Sequence, residues 1–199
     1  MAEYKERRKA TSFTHRFLWK GCLKQKEIAD QKSPGYISFN LTTMLLAFMS
    51  LEAYVNFIGE LIFAGNETEF FYTKNNRFRS FNSKFDLITE KCRVNIDKAQ
   101  RPYNTIRTLK ELRNFVAHGR TEKSEYEVKY KENELPPPQR TYLASLVHTD
   151  AMLTAIEDIK AICDLIHAQV KSFCDQPNLG SDALEGMLFF EIGDTEPVP

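Results

Sequence analysis

TDAMLTAIEDIKAICDLIHAQVKSFC, residues 149–174, decides the fold class. Met152, Ile156, Ile159, Cys163, Ile166, Val170 and Phe173 recur at alternating steps of four and three, which puts them on one stripe of an α-helix. An apolar stripe this narrow, kept up from Thr149 to about Cys174, is that of a helix packed lengthwise in a bundle.

A second stretch repeats the pattern earlier in the chain. Ser33-Pro34 makes a good helix start, with Ser33 as N-cap and Pro34 at the first helical position, and Gly65 is a plausible stop. Between them Leu41, Leu45, Phe48, Glu52, Val55, Gly59 and Ile62 keep the four-three spacing, and Glu52 and Gly59 are the two members that break the apolar rule. The segments FNSKFDLITEKCRVNI (residues 81–96) and NTIRTLKELRNFVAH (residues 104–118) also carry apolar residues at helical intervals, and Phe13 to Ile28 does so more weakly. The expected fold is all-α, a bundle of four to five helices.

Residues 124–131, SEYEVKYK, alternate Tyr126, Val128 and Tyr130 with charged residues, and a proline-rich run ends the stretch. Period two predicts a short β-strand or hairpin before the last long helix. The sequence thus divides into one helical domain over residues 1–176, with its core at about 34–175 and a hairpin-like insertion at about 121–143. An acidic tail follows over residues 177–199, where ALEGMLFFEI could dock on a partner or on the bundle.

With 27 basic and 27 acidic residues the chain is no polycation, so bulk charge does not announce nucleic-acid binding. Residues 1–30 and 74–110 are rich in Lys and Arg, whereas the chain from Asp150 onward is dominated by Asp and Glu. Cys22, Cys92, Cys163 and Cys174 stand apart with no C-x-x-C pair, as reduced thiols of a cytoplasmic protein do. The N-terminus has charge without an apolar stretch behind it, which argues against a signal peptide. Tyr36 to Leu51 is apolar but is interrupted by Asn40, Thr42 and Thr43 and then meets Glu52, so it reads as a buried helix and not a membrane span.

The chemistry concentrates in ELRNFVAHGR, residues 111–120. As a bare pattern, Arg followed by His after four to six residues is unspecific, and Arg8 to His15 matches it too. Context makes the difference. Arg113, Asn114 and His118 close an apolar-periodic helix, Gly119 follows, and a long helix with SLEAYVNFI precedes.

In these residues the chain resembles the HEPN domains, all-helical bundles of which many are metal-independent ribonucleases of toxin, antiphage and CRISPR-associated systems. The resemblance covers residues 36 to 175 at the level of helix order. It implies Arg113 and His118 as catalytic residues, Asn114 as their hydrogen-bonding companion, and Glu52 as the acidic residue that faces the motif from the early core helix. It also implies a homodimer in which two motifs meet across a two-fold axis, RNA as substrate, and an antitoxin or other regulatory protein as a possible partner. Some family members carry a tyrosine two positions after the histidine, where a paired enzyme modifies it; Arg120 stands there in this chain, which puts that control in doubt. A non-catalytic module of the same type, using its bundle for dimerisation and for nucleotide or protein binding, is the alternative.

The residue types suit RNA transesterification on their own terms. A base must take the 2'-hydroxyl proton, an acid must protonate the leaving 5'-oxygen, and a cation must face the charge on phosphorus. Histidine can serve either proton step, arginine supplies a bidentate cation, and the chemistry requires no metal or cofactor. Arg113 and His118 are five apart, about 140° around an ideal helix, so they share a face only if the helix ends or distorts near Ala117. Gly119 is placed to be that end.

Blander roles compete for several residues. Glu52 on a packing stripe needs a partner, for which Arg113 is the obvious candidate. Gly59 most simply marks close approach of another element. NNRFRSF, residues 75–81, interleaves Arg77 and Arg79 with Phe78 and Phe81, a composition that can grip phosphate and stack bases, and Arg120 could add to it. His15, His148 and His167 lack metal-ligand spacing and are expected at the surface or on helix faces.

Overall fold

The apolar-periodic stretches fold as helices. The computed structural model describes the chain apart from residues 1–3, 32–34, 120, 124, 126, 128, 133–140, 173–178 and 198–199. Its elements run β1 (Tyr4–Ser12), α1 (Thr14–Asp30), α2 (Tyr36–Ile62), α3 (Glu67–Phe71), α4 (Phe81–Lys91), α5 (Tyr103–His118), α6 (Tyr142–Leu146), α7 (Thr149–Lys171) and β2 (Phe189–Pro197). The protein is predominantly helical, as the spacing predicts.

Local chemistry sets the helix ends. The Ser80 hydroxyl accepts from the backbone N–H of Ser83 to open α4, and the Thr141 hydroxyl accepts from that of Ala144 to open α6. At α7 the His148 imidazole takes this part, its Nδ1 accepting from the Ala151 N–H at 3.2 Å. Gly119 ends α5 in the left-handed region at φ 57°. Gly65, the expected stop of the second stretch, is left-handed three residues beyond the end of α2. The start proposed at Ser33-Pro34 lies outside the described residues.

The chain forms two compact units, and α1, α2 and α7 each contribute a stretch to both. One unit comprises Gly21–Phe48 and Asn95–Ile162. Its core holds Met44, Ala47 and Phe48 of α2, Ile106, Leu109 and Leu112 of α5, and Met152, Ala155, Ile159 and Ile162 of α7. A polar tie joins its helices. Asp158, buried on α7, accepts from Arg101 through both carboxylate oxygens at 2.8 and 2.9 Å and from the Thr105 hydroxyl at 2.5 Å. Asp158→Ala is expected to lower the melting temperature, because the Thr105 hydroxyl and the guanidinium lose their shared acceptor. Glu157→Ala is expected to leave it unchanged, since that carboxylate meets Arg101 at 3.4 Å in solvent. Thermal unfolding of the two variants makes the comparison.

The other unit comprises Met1–Lys20, Met49–Val94 and Cys163–Pro199. Phe13 and Trp19, then Leu51, Tyr54 and Ile58 of α2, Phe70, Phe85 and Ile88, and Ile166 and Val170 of α7 are buried in it. Leu179, Ala183 and Leu184 of the C-terminal segment are buried here as well.

Two expectations are corrected. The buried face of α2 runs through Met44, Ala47, Phe48, Leu51, Tyr54, Val55 and Ile58. It is centred one position before the expected stripe, so Leu41, Leu45, Glu52 and Ile62 are only half-buried. Both stripes are apolar, and the charge of Glu52 is accommodated at the margin instead of the centre. The predicted strand before the last helix is absent from Glu125, Glu127 and residues 129–131, while Ser124, Tyr126 and Val128 lie outside the described residues. A strand persists where its backbone groups find a partner, and here the ends of the chain pair with each other. β1 and β2 form an antiparallel ribbon from Tyr4 opposite Pro197 to Ser12 opposite Phe189.

Among the described residues α2 alone is long and apolar enough to cross a membrane by length and composition. Cys22, Cys92 and Cys163 are buried and not disulfide-bonded, and Cys174 lies outside the described residues.

Candidate functional site

α5 carries the motif in its last two turns. Its inner face is Ile106, Leu109 and Leu112, buried in the unit that holds Phe48, and this fixes the angular position of the residues that follow. Arg113 and Asn114 come next along the helix and are half-buried. The Arg113 guanidinium carbon lies 5.7 Å from the centre of the Phe48 ring, a cation–π contact that holds the side chain along the core margin. His118 is the last helical residue and is exposed, and the Gly119 N–H closes the end by donating to the Val116 carbonyl at 3.1 Å.

The helix is regular through His118, so within one chain Arg113 and His118 point about 140° apart. The expected end falls at Gly119, one residue too late to swing His118 onto the face of Arg113. A single copy therefore presents a half-buried cation and an exposed imidazole on different sides of one helix end. No protein-family model, curated protein or solved structure matches the chain. What the site can do rests on the chemistry of its own residues.

Glu52 belongs to the other unit, half-buried on α2. There its carboxylate acts on Lys84 of α4: burial pulls the Lys84 ammonium below the ordinary lysine range, and Glu52 opposes that shift. Lys84 is itself an unforeseen feature. It is buried, donates to the Asn56 side-chain oxygen at 2.6 Å, and lies 4.7 Å from the Phe78 ring centre.

The NNRFRSF segment divides in its roles. Phe78 is 63% exposed and Arg77 is exposed, so both are open to a ligand. Arg79 is bound into its own loop: Nε donates to the Glu69 and Tyr72 carbonyls at 3.1 and 3.0 Å, and Nη1 donates to the Ser83 hydroxyl at 3.2 Å. Arg120 lies outside the described residues. Among the described residues no group of three or more His, Cys, Asp or Glu is placed to hold a metal ion.

Two histidines expected at the surface or on helix faces lie on helices and are buried. His15 of α1 stacks on Phe57 with ring centres 4.7 Å apart and meets Tyr54 edge-on. Burial, reinforced by Arg16 and His167, pushes its pKa down to about 3. His167 of α7 shares a hydrogen bond with the Tyr54 hydroxyl through Nδ1 at 3.1 Å, and burial lowers its pKa as well. Beside them Arg16 is buried, with Nη2 donating to the Leu179 carbonyl at 3.1 Å and Nη1 to that of Met187 at 3.2 Å. A Cβ on Gly180 would stand 2.7 Å from Arg16 Nη2, and Gly180 is left-handed at φ 73°. The left-handed backbone favours glycine there. The spacing of His15, Trp19 and Cys22 by four and three was the signal that places His15 inside, since Trp19 and Cys22 are fully buried on the same stripe.

Proposed function

We propose that the protein is a cytoplasmic, homodimeric ribonuclease of the HEPN type that cleaves RNA by attack of the 2'-hydroxyl on the adjacent phosphorus. The observation that carries this reading is the end of α5: Arg113 and Asn114 half-buried at the core margin, and His118 exposed at the last helical position before left-handed Gly119. The attacking oxygen loses its proton to a base, the phosphorus passes through a five-coordinate state, and the 5'-oxygen leaves as it is protonated. One His118 per chain supplies one of these proton transfers, and a second copy supplies the other. The divergence of Arg113 and His118 around the helix supports two chains meeting at one cleft, where the arginine of one copy can serve beside the histidine of the next. Arg113 faces the phosphorane charge and Asn114 orients a phosphate or hydroxyl oxygen. Arg77 and Phe78 are available to hold flanking RNA. A defence, stress or toxin context, with a regulatory partner, follows from the family resemblance.

The test is incubation of the purified protein with total RNA in EDTA, beside His118→Ala and Arg113→Ala variants shown by light scattering to remain dimers. Wild type is expected to cut, and each variant is expected to lose about a hundredfold or more in rate. A protein that is monomeric at micromolar concentration would remove the composite site. A dimer that leaves RNA intact would favour the second reading, a non-catalytic module for nucleotide or protein binding. One observation supports that reading: Met187 and Phe189 are 58% and 65% exposed in the C-terminal segment, an apolar pair suited to a partner.

A further inference from the structure

A cavity of about 280 Å³ opens where β1 passes into α1, against α2. Phe13, His15 and Phe57 give it aromatic wall, and Ser12, Thr14, Asn56 and Glu60 give it polar groups. Its size is at the lower limit of small-molecule pockets, which suits a ligand of one ring.

The wall is built rather than incidental. His15 is 1% exposed, and its Nε2 is buried without a hydrogen-bond partner. Its ring is held in place by the stack on Phe57 and the edge contact with Tyr54. Asn56 is oriented by Lys84: the amide oxygen accepts from the ammonium, so the NH₂ is the group left to donate.

Charge argues for a neutral occupant. A cation would come close to Arg16, whose guanidinium carbon lies 4.7 Å from the Phe13 ring centre, and to Lys84 behind Asn56. An anion would meet the Glu60 carboxyl. Burial and the neighbouring Glu67 raise the pKa of Glu60, so its negative charge is penalised where it stands. Aromatic walls, an amide donor, two hydroxyls and a carboxyl together match a flat ring whose edge alternates carbonyl and N–H.

We propose that this cavity binds a small uncharged planar ring bearing an amide or lactam edge. The site lies wholly within the unit of Met1–Lys20, Met49–Val94 and Cys163–Pro199, and it does not rest on the ribonuclease reading, because occupancy needs no RNA cleavage.

Uracil and nicotinamide are the probes, one a lactam and the other a ring carboxamide, with benzoate and benzylamine as charged rings of similar size. Ligand-observed NMR and calorimetry on the full chain are expected to show submillimolar binding of at least one neutral probe, and the charged rings binding at least about tenfold more weakly. Whichever neutral probe binds identifies the edge. Ala53→Leu, which fills the cavity from α2, is expected to weaken binding about tenfold or more. Glu60→Leu, at an exposed position that leaves the core intact, is the second variant and is expected to weaken it likewise. The proposal is overturned if neither neutral probe binds at millimolar concentration, if benzoate or benzylamine binds as well as they do, or if both variants, shown folded by circular dichroism, keep wild-type affinity.

Discussion

Between pH 6.5 and about pH 5 the protein is expected to lose stability by about 2 kcal/mol, through His15 alone. In the unfolded chain His15 binds a proton near pH 6.5, whereas in the fold burial pushes its pKa down to about 3. Over that interval only the unfolded state takes up the proton, so each unit of acidification costs up to about 1.4 kcal/mol. At about pH 7.5 and above both states hold the imidazole neutral and almost no penalty remains. The surroundings offer the protonated ring no relief. Tyr54 and Phe57 of α2 face it with aromatic rings, Arg16 adjoins it on its own helix, and His167 of α7, whose own pKa burial lowers, pushes the same way. Asp182 acts on Arg16 and His167 but is not among the groups that shift His15. Urea unfolding at a series of pH values reads the slope directly. His15→Phe, which keeps a ring against Phe57, is expected to flatten it by the share of one proton. Equal urea midpoints at pH 7.5 and pH 5 would remove the argument. The window matters because the carboxylates titrate mainly below it, so a slope confined to lower pH would belong to them.

The helices were legible because each long one buries a stripe, and a stripe leaves a period. α7 shows this most clearly: Met152, Ile159, Cys163, Ile166 and Val170 are buried as their spacing predicts. Gly119 was legible for a local reason, a glycine directly after a helix ending in histidine. α2 was legible as a helix but not in its facing. Between residues 44 and 58 it is apolar on adjacent stripes, and periodicity cannot choose between them. Its one charge there, Glu52, held that information, because a carboxylate is more cheaply placed at the edge of a buried face than at its centre.

The ribbon of β1 and β2 was not legible, and the reason is its topology. Its nine pairs join residues near opposite ends of the chain, so no local turn signal links the strands. KERRKATS also lacks the alternation that marks a half-buried strand. The buried polar cluster failed differently. The spacing of His15 and His167 excludes a metal site and leaves a surface or helix-face role, whereas packing uses them as ring-shaped interior residues joined to Tyr54 and Phe57. For the motif itself, residue identity and position in the helix could be read, but not whether Arg113 and His118 share a face, because that depends on where the helix ends.

Gly59→Ala is expected to destabilise the protein by about 3 kcal/mol, against the usual gain of about 1 kcal/mol for replacing a helical glycine. The cause is Phe70. A Cβ built on Gly59 falls 2.5 Å from Phe70 Cδ1 and nearer still to Cε1 and Cζ, closer than real Cβ contacts come. The ring has little room to withdraw. Phe70 is fully buried, stacks on Phe63 with centres 5.4 Å apart, and meets Phe71 edge-on at 5.0 Å. Either α3 shifts away from α2 or the ring leaves its well, and both forfeit apolar contact. The same interference makes a separating measurement possible. Phe70→Leu alone is expected to cost about 1 to 2 kcal/mol through the space it leaves. Added to Gly59→Ala it should cost less than the sum, because the new methyl then occupies part of that space. A coupling of about 1 kcal/mol or more in a double-mutant cycle places the two residues in contact. Strict additivity, or a rise in melting temperature for Gly59→Ala alone, would mean that the glycine is merely a weak helix former and that Phe70 does not rest on it.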